Sequence, residues 1–432
     1  MTKTLSEDLK ENDAPSLSEA TRVWWKIGIL SFGGPAAQIA LMHKEVVEDR
    51  AWLSEQQFLN ALSFCMLLPG PEAMQLATYA GWRLHGTLGG LIAGLLFVIP
   101  GAVVIMVLAG IYGVFGNVPL VEALFFGIKA TVLVIVIEAL LRVAKKALLQ
   151  NLHWIIAGLA FVGIFFLSIP YPLIVLLAGV FGWIAGGPQI STTGARTTDV
   201  STRQTLRTVT LWLAVWLLRL FALTWLGAPH LLVELGRFFS TLAIVTFGGA
   251  YAVLAYMAQD VVVQFGWLTA GEMVDALGLA ETTPGPLILV TQFVGFLAGF
   301  KEGGLLFGML AALVALWVTF APCFLWIFAG APYIEWISSQ PRLKGALDAI
   351  TAAVVGVILN LSLWFALHVL FTRVTRKDWG YVTFWQPDIA TVKWLALALF
   401  ALGCVLAFKL HWSIIRILCV ASILGATLRL ML

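Results

Sequence analysis

The run LIAGLLFVIPGAVVIMVLAGIYGVF, Leu91 to Phe115, carries no charged residue. Crossing a hydrocarbon core of roughly 30 Å takes about 20 apolar helical residues, and blocks of that length recur along the whole chain. Six precede a polar stretch at 188–208: about 23–42, 57–82, 87–115, 121–147, 152–169 and 171–187. Seven follow it: about 209–228, 238–258, 272–299, 303–330, 345–371, 391–408 and 411–430. Lipid offers no partner to backbone N–H and C=O groups, so only helices and closed barrels cross it. Barrel strands alternate over about 10 residues, and these unbroken runs do not. The expected fold is an all-α polytopic membrane protein of about 13 transmembrane segments, multi-pass in the cell (inner) membrane with the lipid bilayer as its surroundings.

Only 11% of the 432 residues are charged and the net charge is +3, which points to no nucleic-acid partner. Residues 1–20 are polar without an apolar core, so they read as a cytoplasmic tail rather than a signal peptide. The four cysteines are scattered through apolar runs, and no two histidines stand three or four residues apart. Neither a disulfide framework nor a metal site is expected, and no cofactor. A Gly-x-x-x-x-Gly-Lys-Ser/Thr phosphate loop is absent from the sequence.

The chain is a duplicated unit. Arg22–Pro71 aligns without a gap on Arg237–Pro286, and 17 of the 50 positions are identical. The matches include Phe32-Gly33-Gly34 with Phe247-Gly248-Gly249, Trp52-Leu53 with Trp267-Leu268, and Pro69-Gly70-Pro71 with Pro284-Gly285-Pro286. Past one deleted residue, Gly81, Gly89, Gly90 and Gly94 are expected to fall on Gly295, Gly303, Gly304 and Gly308. The domains expected are a tail at 1–20, a first repeat at 21–187, a basic linker at 188–208 and a second repeat at 209–432 with one extra leading segment. If segment 209–228 crosses, despite Arg219 near its middle, the second copy starts seven spans after the first and the halves are inverted, a plan of secondary transporters. If it lies flat, they are parallel. Arg373, Arg376 and Lys377 then fall inside, as the positive-inside rule prefers. We expect inversion.

Proline removes a donor and clashes with the preceding turn, so each Pro-Gly-Pro interrupts a helix, and each Gly-Gly permits unusual torsions. Breaks at membrane depth persist only against protein or a watery cavity. The helix N-termini they open favour anions. Polar residues gather at the same places: Ser31 and Gln38 around the Gly33-Gly34-Pro35 motif, then Glu72, Gln75 and Thr78, in the first copy, and Thr246, Glu281, Thr282, Thr283, Thr291 and Gln292 in the second. Hydroxyl and amide groups would ligate an oxyanion, with Arg22, Lys26 and Arg237 drawing it to the entrance. A packing kink, or snorkelling of the arginines to headgroups, is the plainer reading of each feature alone. A carboxylate within a span costs at least about 2.5 kcal/mol and usually marks function. Glu72 therefore reads as a coupling or gating proton carrier, or as the partner of Arg83 or Lys26, and Glu281 as its inexact counterpart. Glu122, Glu138, Asp275 and Asp348 read as solvated span-end residues, and Lys129 as a paired residue whose partner the pattern does not name.

The stretch SFGGPAAQIALMHKEVVEDRAWLSEQQFLNALSFCMLLPGPEAMQLATYAGW, with TFGGAYAVLAYM and TTPGPLILVTQFVGF in the second copy, resembles the chromate ion transporter family in its long-chain, two-domain form. Ala250 in place of Pro35, and Leu287 in place of Glu72, separate the second copy from the first. The resemblance implies an inner-membrane carrier that expels chromate, with sulfate as a competitor, oppositely oriented halves and functional weight on the first half's glycine- and proline-rich motifs. A sulfate uptake carrier and a membrane-embedded enzyme are the alternatives. A homo-oligomer is compatible with all three.

Overall fold

The computed structural model describes residues 15–116, 118–186, 202–247, 250–334, 337, 340–380 and 382–431. The Gly248-Gly249 pair and most of the expected tail and linker lie outside the described residues. Among the described residues the fold is helical except for one small hairpin.

Each copy begins with four short helices. In the first these are α1 (Leu17–Leu30), α2 (Gly34–His43), α3 (Glu55–Leu67) and the opening limb of α4 (Glu72–Phe115). In the second they are α9 (His230–Val245), α10 (Ala250–Gln259), α11 (Ala270–Thr282) and the opening limb of α12 (Val290–Gly330). The duplication shows in the caps. Ser54 and Thr269, 215 apart, each accept a hydrogen bond from the third residue of the following helix, and Gln57 and Glu272 return it. Such reciprocal boxes satisfy two orphan N–H groups at a helix start.

These short helices fold back in pairs. The Phe64 and Tyr79 rings of α3 and α4 are 6.4 Å apart, eight residues beyond the break on one limb and five before it on the other. Lys301 near the end of the α12 limb reaches Glu272 at the start of α11 at 2.6 Å. Phe238 of α9 meets Tyr256 of α10 at 5.6 Å, and Trp24 of α1 meets Trp52 beyond α2 at 6.5 Å. Segments 23–42, 57–82, 238–258 and 272–299 are therefore each two helices folded back on one another at a break rather than one continuous helix. Hydropathy measures composition and not direction, so it cannot separate such hairpins from crossings.

Both long helices then bend sharply. α4 turns at His85–Gly86, where Gly86 has φ +62°, and α12 at Gly303–Gly304, where Gly304 has φ +75°. Gly81 packs against Gly89 and Ala93 across the first bend, and Gly299 against Phe307, Gly308 and Ala311 across the second. The structural partner of Gly81 is thus Gly299 and not Gly295. The expected register is corrected by a three-residue insertion, the 3₁₀ turn Leu287–Leu289 before α12. Small residues recur every four positions here, so a wrong register still puts glycine on glycine.

The halves run in opposite senses. Along the second limb of α4, Gly90 and Gly94 face Phe328 and Phe324 of α12, in antiparallel order. α8 (Thr202–Trp225) lies lengthwise on the same α12 limb, with Thr205 hydrogen-bonded to Tyr333 at 2.6 Å and Trp212 stacked on Phe324 at 5.5 Å. Arg219 is tolerated because its guanidinium lies 3.8 Å over the Trp317 ring. α8 is long and apolar enough to cross, as are α4, α12, α5 (Pro119–Ala147) and α13 (Pro341–Leu370). The shorter apolar helices α6 (Asn151–Phe165), α7 (Tyr171–Ala185) and α14 (Trp394–Cys404), with α15 (Ile414–Met431), complete the helical set.

Between α13 and α14 an excursion forms β1 (Val374–Trp379) antiparallel to β2 (Val382–Pro387), closed by a Phe371–Val392 bridge. Thr383 N–H donates to Phe166 O at 2.7 Å, fixing it over the α6–α7 turn.

Candidate functional site

Two broken-helix tips meet between the halves, and each is completed by the other half. α1 ends at Ser31, whose hydroxyl donates to Ile27 O on its own helix, leaving its carbonyl to find a donor. The donor is Gly285 N–H, at 2.9 Å. The second half repeats the device. Thr246 ends α9, its hydroxyl donates to Leu242 O, and its carbonyl accepts from Gly70 N–H at 2.8 Å. In lipid an unpaired carbonyl costs several kcal/mol, so each half removes that cost from the other.

The motif residues hold this geometry. Gly70 and Gly285 have φ +121° and +86°, a region that side chains with a Cβ rarely enter. Flanking prolines Pro69, Pro71, Pro284 and Pro286 keep the chain extended through each tip. Gln75 donates to Pro69 O at 2.7 Å, bracing the first tip. Gln38 donates to Gly285 O at 2.7 Å and to Ser31 O at 3.2 Å, bracing the second from the opposite half. Gln292 reaches Ala102 O at 3.0 Å. The hydroxyls of Thr282 and Thr283 close the C-terminal turn of α11 on Leu279 O and Ala280 O. Thr291 and Thr319 lie 3.3 Å apart. Gly33 and Gly34, with φ +86° and +78°, turn the chain into α2, whose first turn holds Pro35.

The expected polar residues are thus brought together, but their donors bind backbone carbonyls rather than facing open space. The acceptors Gln75 Oε1 and Gln292 Oε1 are buried without a partner among the described residues.

Charges ring the tips. Glu72 opens α4 immediately after Pro71, and among the described residues its carboxylate pairs with no other side chain. Lys146 of α5 lies within Coulombic reach of it. Lys26 is instead held by Glu45 at 2.6 Å, a carboxylate shared with Arg50 at 2.7 Å. Glu281 is buried and accepts from Tyr251 at 2.8 Å, with Arg142 and Glu138 within Coulombic reach. Arg22 and Arg237 are exposed on α1 and α9. Asp275 corrects its span-end reading: it is 2% exposed, pairs with Lys129 at 3.1 Å and accepts from Tyr112 at 2.7 Å. It is also the Lys129 partner, 146 positions away, that no local pattern could name.

The halves differ in exposure. α11 is buried from Met273 through Glu281, whereas its counterpart α3 exposes Gln56, Asn60 and Ser63 along with Leu59. A polar helix face at membrane depth belongs against water or protein rather than lipid. On that side lie the N-terminus of α1, the start of α8 and Lys145 and Lys146 at the end of α5.

Comparison with known proteins agrees with this architecture. The family model described as chromate transporter matches residues 18–183 and 233–426, one region per half, leaving α8 between them. A chromate transport protein of Pseudomonas aeruginosa is 30% identical over 401 residues, 90% of this chain and 86% of its own. One from Cupriavidus metallidurans is 28% identical over 353 residues, 79% and 81% of the two chains. An uncharacterised transporter of Bacillus subtilis is 36% identical over 109 residues, which are 25% of this chain but 61% of that one. No solved structure matches.

Proposed function

Because the chain belongs to the chromate transporter family, we propose that it is a secondary transporter that exports chromate, or a sulfate-like divalent oxyanion, from the cytoplasm and so confers chromate resistance. The reciprocal docking of the two tips carries this reading. Separating the halves would free Gly70 N–H, Gly285 N–H and the Gln38 amide together, at mid-depth and beside helix starts. These are the neutral donors that suit an oxyanion without trapping it. The same groups would hold the halves shut when no anion is present.

We read the end of the fold where Lys145 and Lys146 close α5 and Arg203 and Arg207 open α8 as cytoplasmic, which leaves Arg373, Arg376 and Lys377 of the β excursion on the other side. Moving one charge through 100 mV is worth about 2.3 kcal/mol. A dianion leaving a negative interior therefore gains about 4.6 kcal/mol, enough for an outward gradient on the order of a thousandfold. Glu72, beside the first tip and without a side-chain partner, is the group we assign to proton antiport. Vesicles loaded with chromate and given an imposed potential test the reading: outflow should rise as the interior becomes more negative, and outflow indifferent to the potential would refute electrogenic export.

A further inference from the structure

A cavity of about 140 Å³ lies at the start of α11, lined by Phe126, Lys129, Gly271, Val274, His368 and Lys393 among others. It stands about 18 Å from the second tip, by 1.5 Å per residue over the 12 residues of helix between. It opens on the side opposite the α3 face. Its lining carries two ammonium groups and an imidazole, and no carboxylate.

Each cation is placed by an identifiable constraint. Gly271 leaves room for Lys129: a Cβ there would stand 3.3 Å from Nζ. Asp275, behind the wall, engages one face of that ammonium, which has three donors. Lys393 is set at the mouth where the β excursion closes, its N–H donating to Leu370 O at 2.8 Å. Among the described residues its Nζ has no acidic partner, and only His368 O lies near, at 3.4 Å. His368 is oriented by Trp364, with Nδ1 at 2.9 Å from the Trp364 carbonyl and the two rings 4.2 Å apart, so Nε2 is left for other contacts. The Lys129 and Arg429 charges lie within Coulombic reach of Lys393. Arg429 is itself paired with Glu122, and Asp275 is taken by Lys129 and Tyr112, so neither of these acids pairs with Lys393 among the described residues.

We propose that this cavity binds a tetrahedral oxyanion, supplied either as a free dianion of the sulfate class or as the phosphate of a lipid headgroup. Lys393 without an acidic partner and the remaining donors of Lys129 suit an anion, and the oxygens of one tetrahedral group can meet both ammonium groups at once. The transport reading enters only in naming the occupant. If it is the transported anion, this is an exit-side station, and the binding itself stands without that reading.

Calorimetric titration of sodium sulfate into the full-length protein in zwitterionic nanodiscs provides the test, alongside Lys393→Gln and Lys393→Arg. The expected result is a binding event weakened roughly tenfold in Lys393→Gln and recovered in Lys393→Arg. A second arm uses nanodiscs containing phosphatidylglycerol. Loss of the sulfate event there, with the lipid retained by the wild type and released by Lys393→Gln, assigns the site to a headgroup. An unchanged event assigns it to the free anion. Superimposable behaviour of wild type and Lys393→Gln in both lipids overturns the proposal. Potential-driven efflux in vesicles is a separate measurement, so failure of the transport reading leaves this result standing.

Discussion

Gly101 makes a close approach between the halves at the second tip, and one methyl group there should be felt throughout the transport cycle. A Cβ on Gly101 would stand 2.1 Å from Pro284 O and 2.6 Å from Leu289 Cδ1. An ordinary C···O contact is about 3.3 Å, so Gly101→Ala must push the second tip away by about 1 Å. Pro284 O is backbone, flanked by a rigid ring, and cannot swing aside as a side-chain end would. Overpacking of this kind costs about 1–3 kcal/mol. At about 2 kcal/mol the docked arrangement loses about 30-fold in population against any arrangement in which the tip has moved off α4. The control is Gly110→Ala on the same helix, where the nearest atom is Phe296 Cζ at 3.9 Å. There the methyl fits and alanine is the better helix former by about 1 kcal/mol. Thermal unfolding in detergent and chromate efflux from vesicles should separate the two variants, with Gly101→Ala impaired in both and Gly110→Ala at or above wild type. Equal behaviour would refute the assignment of this contact as the inter-half dock.

Other substitutions test other parts. Glu72→Gln should slow or uncouple transport while expression, membrane insertion and thermal stability stay at wild-type levels; a pH dependence of efflux identical to wild type would remove Glu72 as the proton carrier. Gln38→Leu leaves Gly285 O short of its donor in a buried place and should cost about 1–3 kcal/mol, read as a lower unfolding temperature. Arg219→Ala removes the stack on Trp317 and should cost about 0.5–2 kcal/mol, loosening α8 so that a protease site engineered near its end is cut faster. Lys301→Gln breaks a partly exposed pair and should change stability by less than about 1 kcal/mol; a larger loss would mean the pair anchors the hairpin base.

The breaks were legible because proline and glycine act locally: their constraints hold whatever surrounds them, and the duplication doubled the signal. Inversion was legible through parity, since each copy's pair of returning segments leaves the odd count between copies odd. What was not legible depends on partners far along the chain. Whether a 13-residue apolar helix such as α3 continues or turns back is decided by what its tip docks on, and that lies in the other half. Lys26, weighed from the sequence as a partner of Glu72, is held instead by Glu45. The polar residues beside the breaks were legible as neighbours of the tips. Their present employment, tying off broken backbone, could not be read without seeing which carbonyls those breaks leave open.

The exchange of hydrogen bonds between the tips also sets an order of assembly. When the first half enters the membrane, Gly70 has no carbonyl to meet, because Thr246 has yet to be synthesised. The Ser31 carbonyl likewise waits for Gly285. The first repeat must therefore rest in an unfinished form, held by its translocation machinery or by water, until α8 has delivered the second repeat upside down beside it. A chain of half the length meets the same requirement only by finding another half inserted the other way round. Expressing residues 1–201 and 202–432 as separate polypeptides would expose this dependence: each should be degraded alone and recovered when both are made together.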